Sequence, residues 1–215
     1  MILEKYKGLN VRPDTLDAYV VDEVGPSYRL LEVGPKDTVL DIGANIGAFC
    51  ALALEQGAKV FGYEPFHENY TIAKKNAPKA VLENAAVVGK HVTATNVDFY
   101  VNVRGKNHGA HSSVPTRGRD VIFVPAVRID KILKTVKPTK MKVDCEGAEY
   151  DILLDLELPR SVKRIALELH LQKTAHKEAA PRLHAQLIAQ GFRVLRDPTP
   201  SFSTKAWHAI GVYAR

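Results

Sequence analysis

The stretch that decides the fold is Thr38-Val39-Leu40-Asp41-Ile42-Gly43-Ala44-Asn45-Ile46-Gly47, followed by Lys59-Val60-Phe61-Gly62-Tyr63-Glu64-Pro65. In each, an apolar run ends at an acidic residue, and a glycine-containing turn and an alanine- and leucine-rich helical segment lie between the two runs. In a parallel sheet of strand–helix–strand units, ligands bind at the carboxyl ends of the strands. The order therefore predicts an α/β fold with a ligand site near Asp41 and Glu64.

The glycine spacing favours one kind of ligand. A dinucleotide-binding turn has the pattern G-x-G-x-x-G and directs backbone amides at a pyrophosphate. Here the glycines stand at positions 43 and 47, and Asp41 places a carboxylate where that anion would approach. S-adenosyl-L-methionine lacks a pyrophosphate and carries an ammonium and a sulfonium, which a carboxylate favours. The pattern predicts this cofactor, with Asp41 beside its α-amino group; a dinucleotide oxidoreductase is a distant alternative.

Further cofactor contacts follow from the strand ends. Glu64 is expected to accept hydrogen bonds from both ribose hydroxyls, and Asn84 is expected at the adenine edge, with a plain turn residue as the alternative. The predicted cofactor-binding residues are Asp41, Gly43, Ala44, Asn45, Gly47, Glu64, Pro65, Asn84, Ala85 and Asp144.

A second cluster of acids lies in Lys142-Val143-Asp144-Cys145-Glu146-Gly147-Ala148-Glu149. Strand alternation would place Asp144 and Glu146 on one face, and the next strand supplies Glu168 and His170. These residue types favour proton abstraction, and an unperturbed histidine titrates near neutral pH, so His170 is expected to serve as a general base there. The predicted catalytic residues are Asp144, Glu146 and His170. The same oxygen-rich set would suit a divalent cation, but a metal is not favoured and no metal ligand is predicted.

The order of elements predicts one domain over residues 1–215, with a helical N-terminal segment at about 1–37 and a hairpin insertion at about 91–128. Within the first segment, a helix over 14–33 is expected to break at Gly25-Pro26. Strands are predicted at 39–42, 60–63, 80–88, 141–145, 164–170, 192–196 and 209–213. Helices between most of them predict a mainly parallel seven-stranded sheet, helices on both faces, and an antiparallel pair at one edge.

A basic loop connects the two strands of the predicted insertion. It is expected to bind an anionic group of the substrate, and its predicted substrate-binding residues are Arg104, His111, Ser112, Arg117 and Arg119. A solvated loop tip is the alternative. With a net charge of +6, the loop also leaves open a nucleic-acid (RNA or DNA) methyltransferase that uses residues 104–119.

The composition narrows the class of protein. The 215 residues are 46% hydrophobic and 25% charged, which is typical of a globular chain with one sizeable core. The charged first residues do not resemble a secretory signal, and no apolar run approaches the roughly 18 residues of a membrane helix. Cys50 and Cys145 do not form a disulfide framework. A cytoplasmic protein without membrane partners is expected.

Several of these motifs together resemble the FkbM family of S-adenosylmethionine-dependent methyltransferases, from about Asp17 to His170. The resemblance rests on Asp17 with Glu23, the Val39–Gly47 turn, Glu64-Pro65, Asn84-Ala85-Ala86, Ser112-Ser113, Val127-Arg128-Ile129-Asp130 and the segment from Lys142 to Glu149. The last segment is the most specific. The resemblance implies a Rossmann-like class I methyltransferase fold.

The resemblance also implies an activity, usually O-methylation of a hydroxyl on a sugar or another small metabolite. The chain has few residues outside the matching core, so the resemblance does not specify the acceptor. Besides the nucleic-acid methyltransferase, a non-catalytic binding module with the same fold is the remaining alternative.

Overall fold

The computed structural model describes residues 2–102, 111, 114, 119–202 and 206–215. The strands are β1 (Glu4–Tyr6), β2 (Leu9–Val11), β3 (Thr38–Ile42), β4 (Lys59–Tyr63), β5 (Val81–Glu83), β6 (Ala86–Val88), β7 (Asn96–Val101), β8 (Asp120–Arg128), β9 (Lys140–Val143), β10 (Arg164–His170), β11 (Arg193–Arg196) and β12 (His208–Ala214). The α-helices are α1 (Asp17–Tyr28), α2 (Ala48–Glu55), α3 (His67–Asn76), α4 (Ile129–Val136), α5 (Glu149–Leu153) and α6 (Thr174–Ala189). Short 3₁₀ turns span Arg29–Leu31 and Thr199–Ser201.

Seven strands form the central sheet in the order β11-β12-β10-β9-β3-β4-β5. The five strands from β10 to β5 are parallel, and β12 is antiparallel to both β10 and β11. The predicted mainly parallel α/β fold with an antiparallel edge pair is confirmed. Strand β3 pairs with both β4 and β9. The strands β4 and β5 lie on one side of it, and β9 and β10 lie on the other, so the order of the chain reverses at β3. The crevice at this switch point is where open α/β sheets bind ligands.

The sheet separates two apolar clusters because successive strand residues point to opposite faces. In β3, Leu40 and Ile42 pack into the cluster that includes α4, α5 and α6, whereas Val39 packs into the cluster with α1 and α2. Asp41 shares the face of Val39. This alternation determines the environment of the acid at the strand end.

The predicted strand 80–88 is divided in the structure. Its first part, β5, ends the central sheet, and its second part, β6, pairs parallel with β8 in a separate three-stranded sheet of order β6-β8-β7. The Asn84 side chain lies at the division and donates hydrogen bonds to the carbonyls of Glu64 and Pro65, 2.8 and 2.9 Å away. The predicted hairpin is present as the antiparallel pair β7–β8.

The N-terminal segment differs from the helical prediction. Residues 4–11 form the antiparallel hairpin β1–β2 before the first helix begins. The predicted break at Gly25-Pro26 is also wrong, since α1 includes Pro26 and continues into a 3₁₀ turn at Arg29–Leu31. Glycine at position 25 has no Cβ to clash with the proline ring. The proline stands close to the helix end, so few bonds of the ladder are affected. Among the described residues, no helix is both long and apolar enough to cross a bilayer.

Replacing Gly43 with alanine should strongly destabilise the fold. Gly43 has φ +83°, and an added Cβ would lie 1.8 Å from the Asp144 carbonyl oxygen, so β9 would have to move. Left-handed strain together with this overlap should cost about 3 kcal/mol or more. Urea unfolding of Gly43→Ala measures the loss. Gly34→Ala is the control, because no atom lies within 4 Å of its added Cβ. Equal stability of the two variants would contradict the argument.

Candidate active site

A cleft opens at the switch point, and its volume is about 1290 Å³ including the part open to solvent. Helix α1 forms one wall, and the ends of β3, β4, β9 and β10 form the floor. The polar residues that line it are Asp17, Glu23, Tyr28, Asn45, Glu64, Asn69, His111, Lys142, Asp144, Glu146 and Glu168. Most of the polar groups expected at one sheet edge therefore meet in one cleft.

The turn after β3 is held by backbone bonds. The amides of Gly43 and Ala44 both donate to the Tyr63 carbonyl at 3.0 Å, which joins the end of β3 to the end of β4. Asn45 has φ +50°, and its amide donates to Glu64 Oε2 at 2.8 Å. The Asn45 Oδ1 atom is buried and has no hydrogen-bond partner in the described part of the chain. Five of the predicted cofactor-binding residues line the cleft: Gly43, Ala44, Asn45, Glu64 and Pro65.

Glu64 is a buried carboxylate with unused acceptor capacity. Its Oε1 accepts the Phe66 amide at 2.8 Å, and its Oε2 accepts the Asn45 amide. Burial raises the pKa of Glu64 to about 7, against the opposing effects of those two amides and of Lys142. Each carboxylate oxygen has two lone pairs. Both oxygens can therefore accept a further donor from the cleft.

Asp41 does not lie where the sequence predicted. It is fully buried and does not line the cleft. Alternation along β3 turns its side chain toward α2, where the Cys50 thiol lies 3.2 Å from Oδ2. Its Oδ1 lies 3.2 Å from the ammonium of Lys142. The lysine thus separates Asp41 from the cleft, and the predicted direct contact of Asp41 with a cofactor ammonium is corrected: Asp41 binds Lys142 and does not reach the cleft.

Lys142 is the functional residue that sequence reasoning missed. Its Nζ donates to the Gly43 carbonyl at 2.7 Å and lies 3.4 Å from Asp144 Oδ2. Burial alone would lower the pKa of Lys142, but the carboxylates of Asp41 and Asp144 outweigh burial and raise it. The available signal was its place two residues before Asp144, since residues i and i+2 of a strand share a face.

Asp144 and Glu146 line the cleft by a different geometry from the one predicted. Strand β9 ends at Val143, and Glu146 has φ +53°, so the two acids leave the strand in a turn and do not alternate within it. Glu168 reaches the same cleft from β10. The Tyr28 hydroxyl lies 3.3 Å from both Asp144 Oδ2 and Glu168 Oε2. The acid cluster therefore packs directly against α1.

His170 is held between acids below the cleft. Its Nδ1 lies 2.9 Å from Glu149 Oε1, and its Nε2 lies 3.4 Å from Glu146 Oε2. Burial would lower the pKa of His170, but Glu149 and Glu146 raise it well above the ordinary value. The ring is 3% exposed and does not line the cleft. Its predicted part as a general base is corrected, because the ring does not reach the cleft and both of its nitrogens face carboxylates.

Glu149 has a structural part in this arrangement. Besides contacting His170, its Oε1 accepts the amides of Cys145 and Gly147 at 2.9 and 3.2 Å. One potential ligand atom from each of Asp144, Glu149 and His170 lies within 4.8 Å of the others. Within the described part of the chain, these three residues form the group whose geometry could bind a metal ion. However, Glu149 Oε1 already accepts from three N–H donors.

Other predicted site residues lie elsewhere. Asn84 and Ala85 do not line the cleft, where Ala86 and Val87 take that place. The expected adenine contact of Asn84 is replaced by its bonds to the Glu64 and Pro65 carbonyls. Gly47 is the N-cap of α2, and an added Cβ there would lie 2.8 Å from Ala73 Cα in α3. Its part is to let two helices approach each other.

Two of the predicted substrate-binding residues can be placed. His111 lines the cleft, accepts the Asn102 amide at 2.9 Å, and packs 4.2 Å from the Phe66 ring between centroids. Arg119 is half-buried, and its charge acts on Glu146, lowering the pKa of that acid against the larger effect of burial. Arg104, Ser112 and Arg117 lie outside the described residues.

Fold and site together define a class I methyltransferase with an acid-rich cleft at the switch point. The chain belongs to the FkbM methyltransferase family, because the family model described as a methyltransferase FkbM domain matches residues 41–194. It is thus an S-adenosylmethionine-dependent methyltransferase. None of the curated proteins compared with the chain matches it significantly.

Solved structures of methyltransferases are similar to this chain at low sequence identity. The ribosomal protein L11 methylase of Lactobacillus delbrueckii subsp. bulgaricus is 14% identical, with a TM-score of 0.51 over 93% of this chain and 80% of that one. The precorrin-6y C5,15-methyltransferase of Geobacter metallireducens GS-15 is 12% identical, with a TM-score of 0.49 over 95% and 92%. The S-adenosylmethionine-bound magnesium protoporphyrin IX methyltransferase of Synechocystis PCC 6803 is 15% identical, with a TM-score of 0.49 over 95% and 85%.

Replacing Glu168 with glutamine should stabilise the protein at high pH. Burial, followed by the charge of Asp144, raises the pKa of Glu168 from 4.5 to about 8. The folded state therefore holds this proton more tightly than the unfolded chain, and wild-type stability falls as pH rises from about 4.5 to about 8. Glu168→Gln cannot ionise, so it should gain up to about 5 kcal/mol over wild type at pH 8.5 and much less at pH 5.5. Urea unfolding at both pH values measures the gain, and a variant less stable than wild type at pH 8.5 would refute it.

Proposed function

We propose that this methyltransferase transfers the methyl group of S-adenosylmethionine to a hydroxyl oxygen of a small metabolite, with sugars the first acceptors to test. The observation that carries the proposal is the carboxylate of Glu146. Glu146 lines the cleft, and the buried ring of His170 contacts its carboxylate on the side away from the cleft. Methylation of an alcohol oxygen needs such a positioned base, because the hydroxyl must lose its proton.

The cleft fits the cofactor at both ends. At one end, Glu64 retains acceptor capacity for ribose hydroxyls, and the unpartnered Asn45 Oδ1 offers a further acceptor. At the other end, Glu23, Asp144 and Glu168 line the cleft with carboxylates. When bound there, S-adenosylmethionine supplies a methyl group on a positively charged sulfonium. Acids around that end favour the cations of the cofactor electrostatically.

Glu146 has the position and the proton affinity of a base. Its side chain is 25% exposed toward the cleft, and the His170 Nε2 atom lies 3.4 Å from its Oε2. Burial raises the pKa of Glu146 to about 7, and the charge of His170 opposes that shift. A base is most effective when its pKa is near the working pH. Glu149, which the His170 ring contacts through Nδ1, fixes the ring and thus positions the base.

The acceptor end is formed partly by α1 and partly by the insertion. Tyr19 lines the cleft and is 61% exposed, so its ring is available to a ligand at the mouth. His111 lines the cleft from the loop between β7 and β8. An anionic group on the acceptor, bound by residues of that loop, remains part of the proposal. The charge of Arg119 close to Glu146 supports it.

Replacing Glu64 with glutamine should weaken cofactor binding. At pH 8 the carboxylate is ionised and accepts from the ribose as well as from two amides, so Glu64→Gln should lower affinity about tenfold or more. At pH 6, below the pKa of about 7, wild type should itself bind less tightly and the difference should shrink. Isothermal titration of S-adenosylhomocysteine measures both. The exposed Glu83 provides the control variant Glu83→Gln, and a Glu64→Gln variant that binds like this control would exclude the assigned contact.

Replacing Glu146 with glutamine should abolish most methyl transfer without loss of the cofactor. Removing a general base typically costs about 10²–10⁴-fold in rate, and wild-type turnover should rise with pH through about 7 as Glu146 ionises. A screen of sugars and hydroxylated metabolites, with S-adenosylhomocysteine release as the readout, supplies the acceptor. The exposed Glu157 provides the control Glu157→Gln. Turnover of Glu146→Gln at the control's rate would refute the role of Glu146.

A further inference from the structure

Each methyl transfer to a hydroxyl releases one proton into the cleft. The acceptor oxygen forms a bond to the methyl carbon, the carbon–sulfur bond breaks with its electron pair going to sulfur, and the hydroxyl proton passes to Glu146. During this step the cofactor and the acceptor would occupy the cleft that Glu146 lines. The residues behind Glu146 therefore decide how its proton reaches solvent.

Four side chains lie in a row from the base to the protein surface. Glu146 Oε2 lies 3.4 Å from His170 Nε2, and that nitrogen lies 3.9 Å from Glu168 Oε1. The same Glu168 oxygen lies 3.6 Å from Nδ1 of His208, whose side chain is 47% exposed. A small side-chain movement would bring each pair into the hydrogen-bond range that proton transfer needs.

The fold itself fixes this row. Glu168 and His170 stand two residues apart on β10 and so share a face. His170 and His208 are direct partners in the antiparallel register of β10 and β12, and their rings are 6.4 Å apart between centroids. The antiparallel strand β12 thus brings an exposed imidazole beside the buried acids.

We propose that His170, Glu168 and His208 form a proton path that carries the proton of the acceptor hydroxyl from Glu146 to solvent. The inference rests on the proposed O-methylation with Glu146 as the base. His170 gives its Nε2 proton to Glu168 and takes the proton of Glu146 at the same nitrogen. Glu168 passes its proton to His208, which releases it to water. The proton count balances, and His170 ends each cycle as the imidazolium it was at the start.

The surroundings of Glu168 suit a group that both takes and releases a proton. Helix α1 contributes Glu23 and Tyr28, which face Glu168 from one side. Lys142 faces it from β9, and Asp144 faces it from the turn after β9. His170 stands on the same strand as Glu168, and His208 faces it from β12. Burial and Asp144 raise its pKa to about 8, while His170 and Lys142 oppose the shift. Glu168 therefore exchanges protons near neutral pH, unlike an exposed glutamate.

The test measures exchange of the His170 Nε2 proton with water, by NMR on the full chain with ¹⁵N-labelled histidine, with S-adenosylhomocysteine bound. This readout needs no acceptor. In His208→Ala and His208→Gln the exchange should slow at least tenfold, and added imidazole should restore it. Glutamine retains a hydrogen-bonding side chain but cannot carry a proton, so loss in His208→Gln separates proton transfer from a structural role. Glu168→Gln should slow the exchange as well, without restoration by imidazole.

His91→Ala is the matched control, since His91 is 64% exposed and pairs with Asp151 outside the row. In His91→Ala, the exchange rate of the His170 Nε2 proton should equal that of wild type. Unchanged exchange in both His208 variants would overturn the path while leaving the proposed activity intact. Binding of S-adenosylhomocysteine is measured first by titration. Absence of binding would instead refute the proposed function, and the path with it.

Discussion

The buried ammonium of Lys142 is the interaction on which the site depends. It joins the Asp41 carboxylate, the Asp144 carboxylate and the Gly43 carbonyl. Asp41 belongs to β3, and Gly43 and Asp144 belong to the turns that follow β3 and β9. Removing one partner of a buried ion pair leaves an uncompensated charge and is strongly destabilising. The lysine thus fixes the relative positions of β3 and β9 at the point where the cleft opens.

The same arrangement explains why the glycine at position 43 is required. The Asp144 carbonyl passes so close to Gly43 that no side chain fits between them, and the Asp144 amide bonds to the Ile42 carbonyl at 3.0 Å. The two strand ends are therefore in backbone contact. This leaves the side chains of Lys142 and Asp144 to fill the space between Asp41 and the cleft.

The sequence was sufficient to predict the sheet and which strand ends carry acids, because apolar runs and their terminal residues are local patterns. It was not sufficient for Asn84, whose side chain bonds to the chain around Glu64 from 20 residues away. It also could not give the turn at Glu146, since the end of β9 depends on its neighbours β3 and β10. Helix α4 was missed although Ile129, Ile132 and Leu133 show helical spacing and are buried. Pro125 and the strand-like residues before this helix made the change from strand spacing to helical spacing of apolar residues hard to detect.

The direction of Asp41 could have been derived and was not. Val39 and Asp41 share a face by alternation, and Val39 belongs to the apolar cluster under α2, so the acid had to point toward α2 as well. A carboxylate buried there requires a cation. The neighbouring strand in the sheet that supplies one is β9, where Lys142 pairs in register with Asp41. The ion pair of Asp41 and Lys142 thus connects two motifs that stand 101 residues apart in the chain and meet in the register of β3 and β9.

The electrostatic balance of the cleft follows from this assignment. Lys142 forms ion pairs with Asp41 and Asp144. His170 contacts the carboxylates of Glu149 and Glu146. Glu23 and Glu168 therefore face the cleft without a full counter-charge, which is why burial raises the pKa of both. A ligand that brings positive charge to this end relieves that cost, whereas an anion would increase it. The same burial that raises the pKa of Glu146, the proposed base, thus also favours a cationic ligand at the acid end of the cleft.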